Sequence, residues 1–108
     1  MQVSTNINPK IKDELTDQLF QAILLLDNIN ECYAFFEDIC TINEIKSLAQ
    51  RLEVAKMLQQ RNTYTDITKE TGASAATISR VNRSLSYGCD GYQMIFKRLD
   101  ENQQRGDS

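Results

Sequence analysis

Between Tyr64 and Leu85 a single glycine divides two short runs, YTDITKET before Gly72 and ASAATISRVNRSL after it, and this punctuation constrains the fold more than any other stretch of the chain. Gly72 permits the left-handed turn that ends a first helix, Ile67 on that helix points inward, and Ile78 and Val81 form one buried stripe on a second. The pattern predicts a helix-turn-helix over about 64–87. The free face of the second helix then carries Ala76, Thr77, Ser79, Arg80 and Arg83. These small, hydroxylated or cationic groups suit the base edges and phosphates of a major groove, so duplex DNA is the expected partner.

The rest of the chain also reads as helix. Pro9, the only proline, sits where it can open a helix, and Ile11, Leu15, Leu19, Ala22, Ile23 and Leu26 follow at three- and four-residue spacing. Phe20, Leu24 and Leu25 widen this stripe to most of the circumference. Such a helix needs cover on more than one side, and a chain of 108 residues offers few partners, so a second subunit is the expected cover. A helix from about Asn30 to Cys40 is expected to bury some of Tyr33, Phe35, Phe36 and Ile39. Thr41 and Glu44 form a T-x-x-E capping box that opens a third helix, with Ile45, Leu48, Ala49, Leu52, Ala55 and Leu58 facing inward. Thr63 with Asp66, Ser74 alone, and Asp90 with Gln93 are the expected caps of three more, the last of which carries Met94, Ile95 and Leu99. Residues 1–8 are expected to be a flexible start, 9–101 a single all-helical domain, and 102–108, which lack any apolar side chain, a disordered tail.

The net charge of −3 conceals an uneven distribution. Residues 1–45 hold two bases against eight acids, whereas residues 46–98 hold nine bases against four acids, and the segment from Thr71 to Cys89 has two arginines and no acid. The motif therefore lies in the basic part, where it would present positive charge to a phosphate backbone. Other classes find little support. No apolar run approaches the roughly 20 residues that span a bilayer, and MQVSTNINPK lacks the pattern of a signal peptide, so a cytoplasmic protein with no membrane partner is expected. Cys32, Cys40 and Cys89 have no C-x-x-C spacing and there is no histidine, which argues against a metal site and for ordinary buried thiols. Without histidine, a specially spaced acid pair or a base beside a cysteine, an enzyme is not expected.

Beyond the motif, the run from Thr41 to Leu85, with T-x-x-E, Arg51, GASAATISR and NRSL, resembles the tryptophan-repressor superfamily, in particular its YerC/YecD-type branch. The resemblance covers about residues 15–100. It implies a six-helix subunit in an intertwined homodimer, an all-α fold whose helix-turn-helix units enter successive major grooves of a palindromic operator, and hence a transcription regulator, most naturally a repressor. Carried over residue by residue, it assigns the first helix of the reading head to Thr65 through Thr71 and the recognition helix to Ser74 through Leu85. The DNA-facing set becomes Thr65, Thr68, Lys69, Ala73, Ser74, Ala75, Ala76, Thr77, Ser79, Arg80 and Arg83, with base readout at Ala75, Ala76 and Ser79. Thr65 and Thr68 stand where the repressor has an arginine and a lysine, so a different operator is expected.

The resemblance also implies an effector pocket, at Thr41, Arg51, Arg80, Val81 and Ser84. In the repressor a planar indole lies between two arginines, which match Arg51 and Arg80. The glycine that follows the second arginine there is Val81 here, and a branched side chain would occupy space beside the ring. No cofactor is therefore assigned; a small-molecule corepressor remains open and tryptophan is disfavoured. Arg51 and Arg80 could instead serve an ion pair, for instance with Glu44, and a phosphate contact. One other class stays open: a helical interaction module that keeps the fold and binds a partner protein through its acidic N-terminal half.

Overall fold

The computed structural model describes residues 7–106, and among them the chain is all-α. In order the helices are α1 (Glu14–Ile23), α2 (Ile29–Ile39), α3 (Ile42–Gln59), α4 (Tyr64–Thr71), α5 (Ala75–Tyr87) and α6 (Gly91–Gly106). Residues 1–6 of the expected flexible start lie outside this description. At the other end α6 continues through Gly106, where a tail is expected from 102 on.

The first five helices begin where a side chain can meet their free N–H groups. Asp13 caps α1, accepting from the Thr16 N–H at 2.7 Å, so the helix starts after the turn at Pro9 rather than at the proline. Hydrogen bonds from Thr16, first its backbone N–H and then its side chain, hold the Asp13 carboxyl below its ordinary range. Asn28 caps α2 and accepts from the Glu31 N–H at 2.9 Å. The capping box at α3 closes in both directions: Glu44 N–H donates to Thr41 Oγ1 at 3.1 Å and Thr41 N–H donates to Glu44 Oε1 at 2.8 Å. Thr63 and Ser74 cap α4 and α5, accepting from the N–H groups of Asp66 and Thr77. The pair expected before α6 works differently. Asp90 sits at a left-handed φ of 63°, and Gln93 turns its amide to the Leu85 carbonyl instead.

The ends are equally specific. Gly72 closes α4 at φ 75°, in the left-handed region predicted for it. At the end of α3 a non-glycine does the same: Arg61 has φ 65°, with its N–H on the Leu58 carbonyl and the Asn62 N–H on the Met57 carbonyl, both at 3.0 Å. This is the bond pattern of a Schellman motif.

Packing divides the chain. Residues 7–48 form one compact unit and the chain from Ala49 onward another, where a single domain over 9–101 is expected. Among the described residues every buried hydrophobic side chain (Val54, Ala55, Met57, Ile67, Ala73, Ile78 and Val81) belongs to the second unit, and Leu58, Leu85, Tyr92 and Phe96 pack against this cluster. Ile67, Ile78 and Val81 are thus inward as predicted, and so are Ala55 and Leu58 of the expected stripe on α3, but Val54 and Met57 join them while Leu48 and Leu52 are exposed. On α6 the core contacts are Tyr92 and Phe96, stacked at 6.2 Å, while Ile95 and Leu99 are exposed. In the first unit α1 and α2 contain no buried residue. Phe35 and Phe36 meet edge to face at 5.7 Å and are half-buried, whereas Leu15, Leu24, Leu25, Ile29 and Tyr33 are exposed. None of the cysteines is buried as expected: Cys32, on α2, is exposed, and Cys40 and Cys89 are half-buried.

Candidate nucleic-acid interface

The candidate reading head is α4, the turn and α5, all within the second unit. Ile67 from α4 meets Ile78 and Val81 from α5 in the core, which fixes the side that each helix turns away from it. The turn has its own lock. The Thr71 hydroxyl donates to the Ile67 carbonyl at 2.7 Å and accepts from the Ala73 N–H at 3.1 Å, so the chain enters and leaves Gly72 through one side chain. Ser74 then caps α5 twice over, its Oγ accepting from the Thr77 N–H and donating to the Thr77 Oγ1, both at 3.1 Å.

Ala75, Ala76, Ser79, Arg80 and Arg83 are all exposed on α5, so the proposed readout residues share an accessible helix. Thr65 and Thr68 are exposed on α4, and Ser74 and Thr77 form the cap between the helices. Ala73 stands apart from this set. Only 1% of its surface is exposed, its methyl belongs to the core, and its N–H is bonded to Thr71, so it shapes the turn. Lys69 is exposed but does not join the arginines. It lines a cleft of about 550 Å³ with Glu53, Asp66 and Glu70, where three carboxylates outnumber it. Arg80 and Arg83 instead line a separate cleft of about 330 Å³ with Ser84, Tyr87 and Gly88.

Two residues of this region escaped the sequence reading. Tyr87, the last residue of α5, is 86% exposed beside the arginines, and its signal was an aromatic four residues after Arg83. In the sequence Thr71 marks only the end of the first helix. A threonine directly before the turn glycine is the visible clue to its double bond.

The residues of the expected effector pocket are scattered in role. Thr41 caps α3, Arg51 is half-buried on the same helix, and Arg80 and Ser84 share the cleft on α5. Val81 is 2% exposed and fills the core. Glu44 accepts from the Thr41 N–H, and that bond, followed by one from the Thr41 side chain, holds its carboxyl below its ordinary range.

The model of the Trp repressor protein family matches residues 14–100, from the first residue of α1 well into α6. The chain belongs to the Trp repressor family. Trp repressor-like proteins are non-enzymatic regulators, and the family assignment supports DNA-binding regulation. The chain is 57% identical over 99 residues to the uncharacterized protein YerC of Bacillus subtilis (strain 168), a match that covers 92% of this chain and 95% of YerC. The crystal structure of a TrpR-like protein from Eubacterium eligens ATCC 27750 superposes with a TM-score of 0.84 at 63% identity, covering 86% of this chain and 96% of that one. A protein from Staphylococcus aureus, described from its crystal structure as a proposed Trp repressor, gives the same TM-score at 54% identity, over 88% of this chain and 96% of the other. Trp repressor-like architecture therefore accounts for the six helices and their order. Among the described residues no helix is long and apolar enough to cross a membrane, and no group of acids and cysteines could hold a metal ion.

Proposed function

We propose that the protein is a homodimeric, sequence-specific transcription regulator of the cytoplasm, acting as a repressor at a palindromic operator that it reads through α4 and α5. The observation that carries this reading is α5 itself. Ile78 and Val81 anchor one side of the helix in the core, while Ala75, Ala76, Ser79, Arg80 and Arg83 remain accessible in a segment without an acid. Small side chains at the start of the helix let its backbone approach base edges closely, Ser79 offers a hydroxyl, and Arg80 and Arg83 supply charge for phosphates. Thr65 and Thr68 on α4 would contact the backbone as neutral donors. Lys69 contributes less, since neighbouring carboxylates offset its charge.

The second subunit is supported by the first unit. Leu15 is 80% and Leu24 83% exposed, and α1 and α2 bury no residue within one chain. Apolar surface on this scale marks an interface, and a second copy presents the same surface in return. Val81 bears on the switch. Its branched side chain stands where the repressor has a glycine, which counts against an indole corepressor, and we assign no effector.

Genomic fragments retained by the purified full-length protein would test the reading. A recurring palindrome is expected, with affinity that falls steeply with salt. Arg80→Ala and Arg83→Ala should each weaken binding and lower the salt slope by about one for each phosphate no longer neutralised. Failure to retain any duplex at low salt would reject operator reading in favour of a helical module that binds a protein partner through the acidic half of the chain.

A further inference from the structure

Both helices of the reading head end on a glutamine that comes from outside it. Gln50 on α3 donates its Nε2–H to the carbonyl of Thr71, the last residue of α4, at 3.0 Å. Gln93 on α6 donates its Nε2–H to the carbonyl of Leu85, in the last turn of α5, at 2.8 Å. Carbonyls in the last turn of a helix have no N–H ahead of them to meet, so a side chain that supplies one fixes the helix end to whatever carries it. The two bonds share a chemistry and a position although they come from different scaffold helices, 21 residues before one acceptor and 8 after the other.

We infer that Gln50 and Gln93 are positioning residues for DNA reading, clamping the ends of α4 and α5 so that the base-facing residues of α5 hold one orientation. The inference rests on the DNA-reading function proposed above. Core packing at Ile67, Ile78 and Val81 resists separation of the helices, but apolar contacts are non-directional and tolerate a small swing. A hydrogen bond to a helix end resists the swing itself. Thr71 connects one clamp to the turn, because its carbonyl takes Gln50 while its hydroxyl bridges Ile67 and Ala73.

The consequence concerns selectivity. Base edges demand close geometry, whereas the attraction of Arg80 and Arg83 to phosphates falls off gently with distance. Loosening the clamps should therefore reduce the ratio of specific to non-specific affinity without weakening non-specific binding. Methionine is the suitable replacement, being close to glutamine in length and unable to donate. At Gln93 it also removes the buried Oε1 atom, which has no partner, so the bond to Leu85 is the one interaction of the amide that is lost.

Gln50→Met and Gln93→Met would be compared with the unaltered protein in two measurements. Without DNA, amide hydrogen exchange should quicken about fivefold at the end of α4 in the first variant and at the end of α5 in the second, as expected when one hydrogen bond is removed. With a duplex selected by the unaltered protein from a randomised pool, and a scrambled duplex of equal length, the affinity ratio should fall about fivefold, with scrambled-duplex affinity and salt slope unchanged. Unchanged exchange would refute the clamps. Faster exchange with an unchanged ratio would make them merely structural and overturn the inference. If the unaltered protein itself failed to discriminate between the duplexes, DNA reading would fall first and the positioning role with it, a result visible without either variant.

Discussion

Substitution of Gly72 by alanine isolates a single term in the stability of the reading head. The glycine closes α4 at φ 75°, and a Cβ built there meets nothing within 4 Å, so the substitution creates no clash. What remains is the backbone. Holding an ordinary L-residue in the left-handed region costs about 1–2 kcal/mol, and the stiffer unfolded chain gives back about 0.4–1 kcal/mol. The net loss should be about 1 kcal/mol, which for a folded unit of this size lowers Tm by about 4–8 °C. Gly72→Asn should lose less, because asparagine enters this region more readily. Gly88 is the contrasting case. Its φ of −86° suits any residue, yet an added Cβ would collide with the Ser84 carbonyl oxygen, so the end of α5 must shift. Gly88→Ala should therefore unfold below Gly72→Ala. Thermal melts followed by circular dichroism at one fixed protein concentration would rank the variants. A Gly72→Ala protein as stable as the parent, or a Gly88→Ala protein more stable than Gly72→Ala, would refute the reasoning.

Acid should act through the caps. The Glu44 carboxyl is held below its ordinary value of 4.5, so its stabilising contribution is complete above that pH and is lost as the pH falls through the lowered value in the folded protein. Between pH 6 and pH 3 the urea midpoint of Glu44→Gln should consequently fall less than that of the parent, and parallel profiles would remove Glu44 from the account. Calorimetric titration with L-tryptophan should give no saturable heat for the parent protein. Val81→Gly, which empties a position now 2% exposed, is the control in which weak binding could appear, and micromolar binding by the parent would overturn the role given to Val81.

The parts of the fold that were legible in advance are those in which a local chemical need shows in the residues. The left-handed turn at Gly72, the inward set Ile67, Ile78 and Val81, and the reciprocal box of Thr41 and Glu44 each follow from one or two side chains and a fixed spacing. What was hidden depended on tertiary company. That α3 buries Val54 and Met57 beside Ala55 while Leu48 and Leu52 stay exposed cannot be chosen from a helix with apolar residues on several sides. Arg61 in the left-handed region was invisible because glycine is the residue that ordinarily announces such an end. Pro9 suggested a helix start that Asp13, a better cap, takes over. Within the candidate site, exposure on α5 followed from the stripe, while the burial of Ala73 and the acidic surroundings of Lys69 required the folded chain.

The bare apolar surface of α1 and α2 has a consequence for control. Where two copies must meet before an operator can be held, the dimer population in the dilute regime varies as the square of chain concentration. Occupancy of the DNA would then follow synthesis and turnover of the protein more steeply than it would for a dimer that never dissociates. Halving the amount of the chain would then leave about a quarter of the dimers, so abundance itself could serve as the signal.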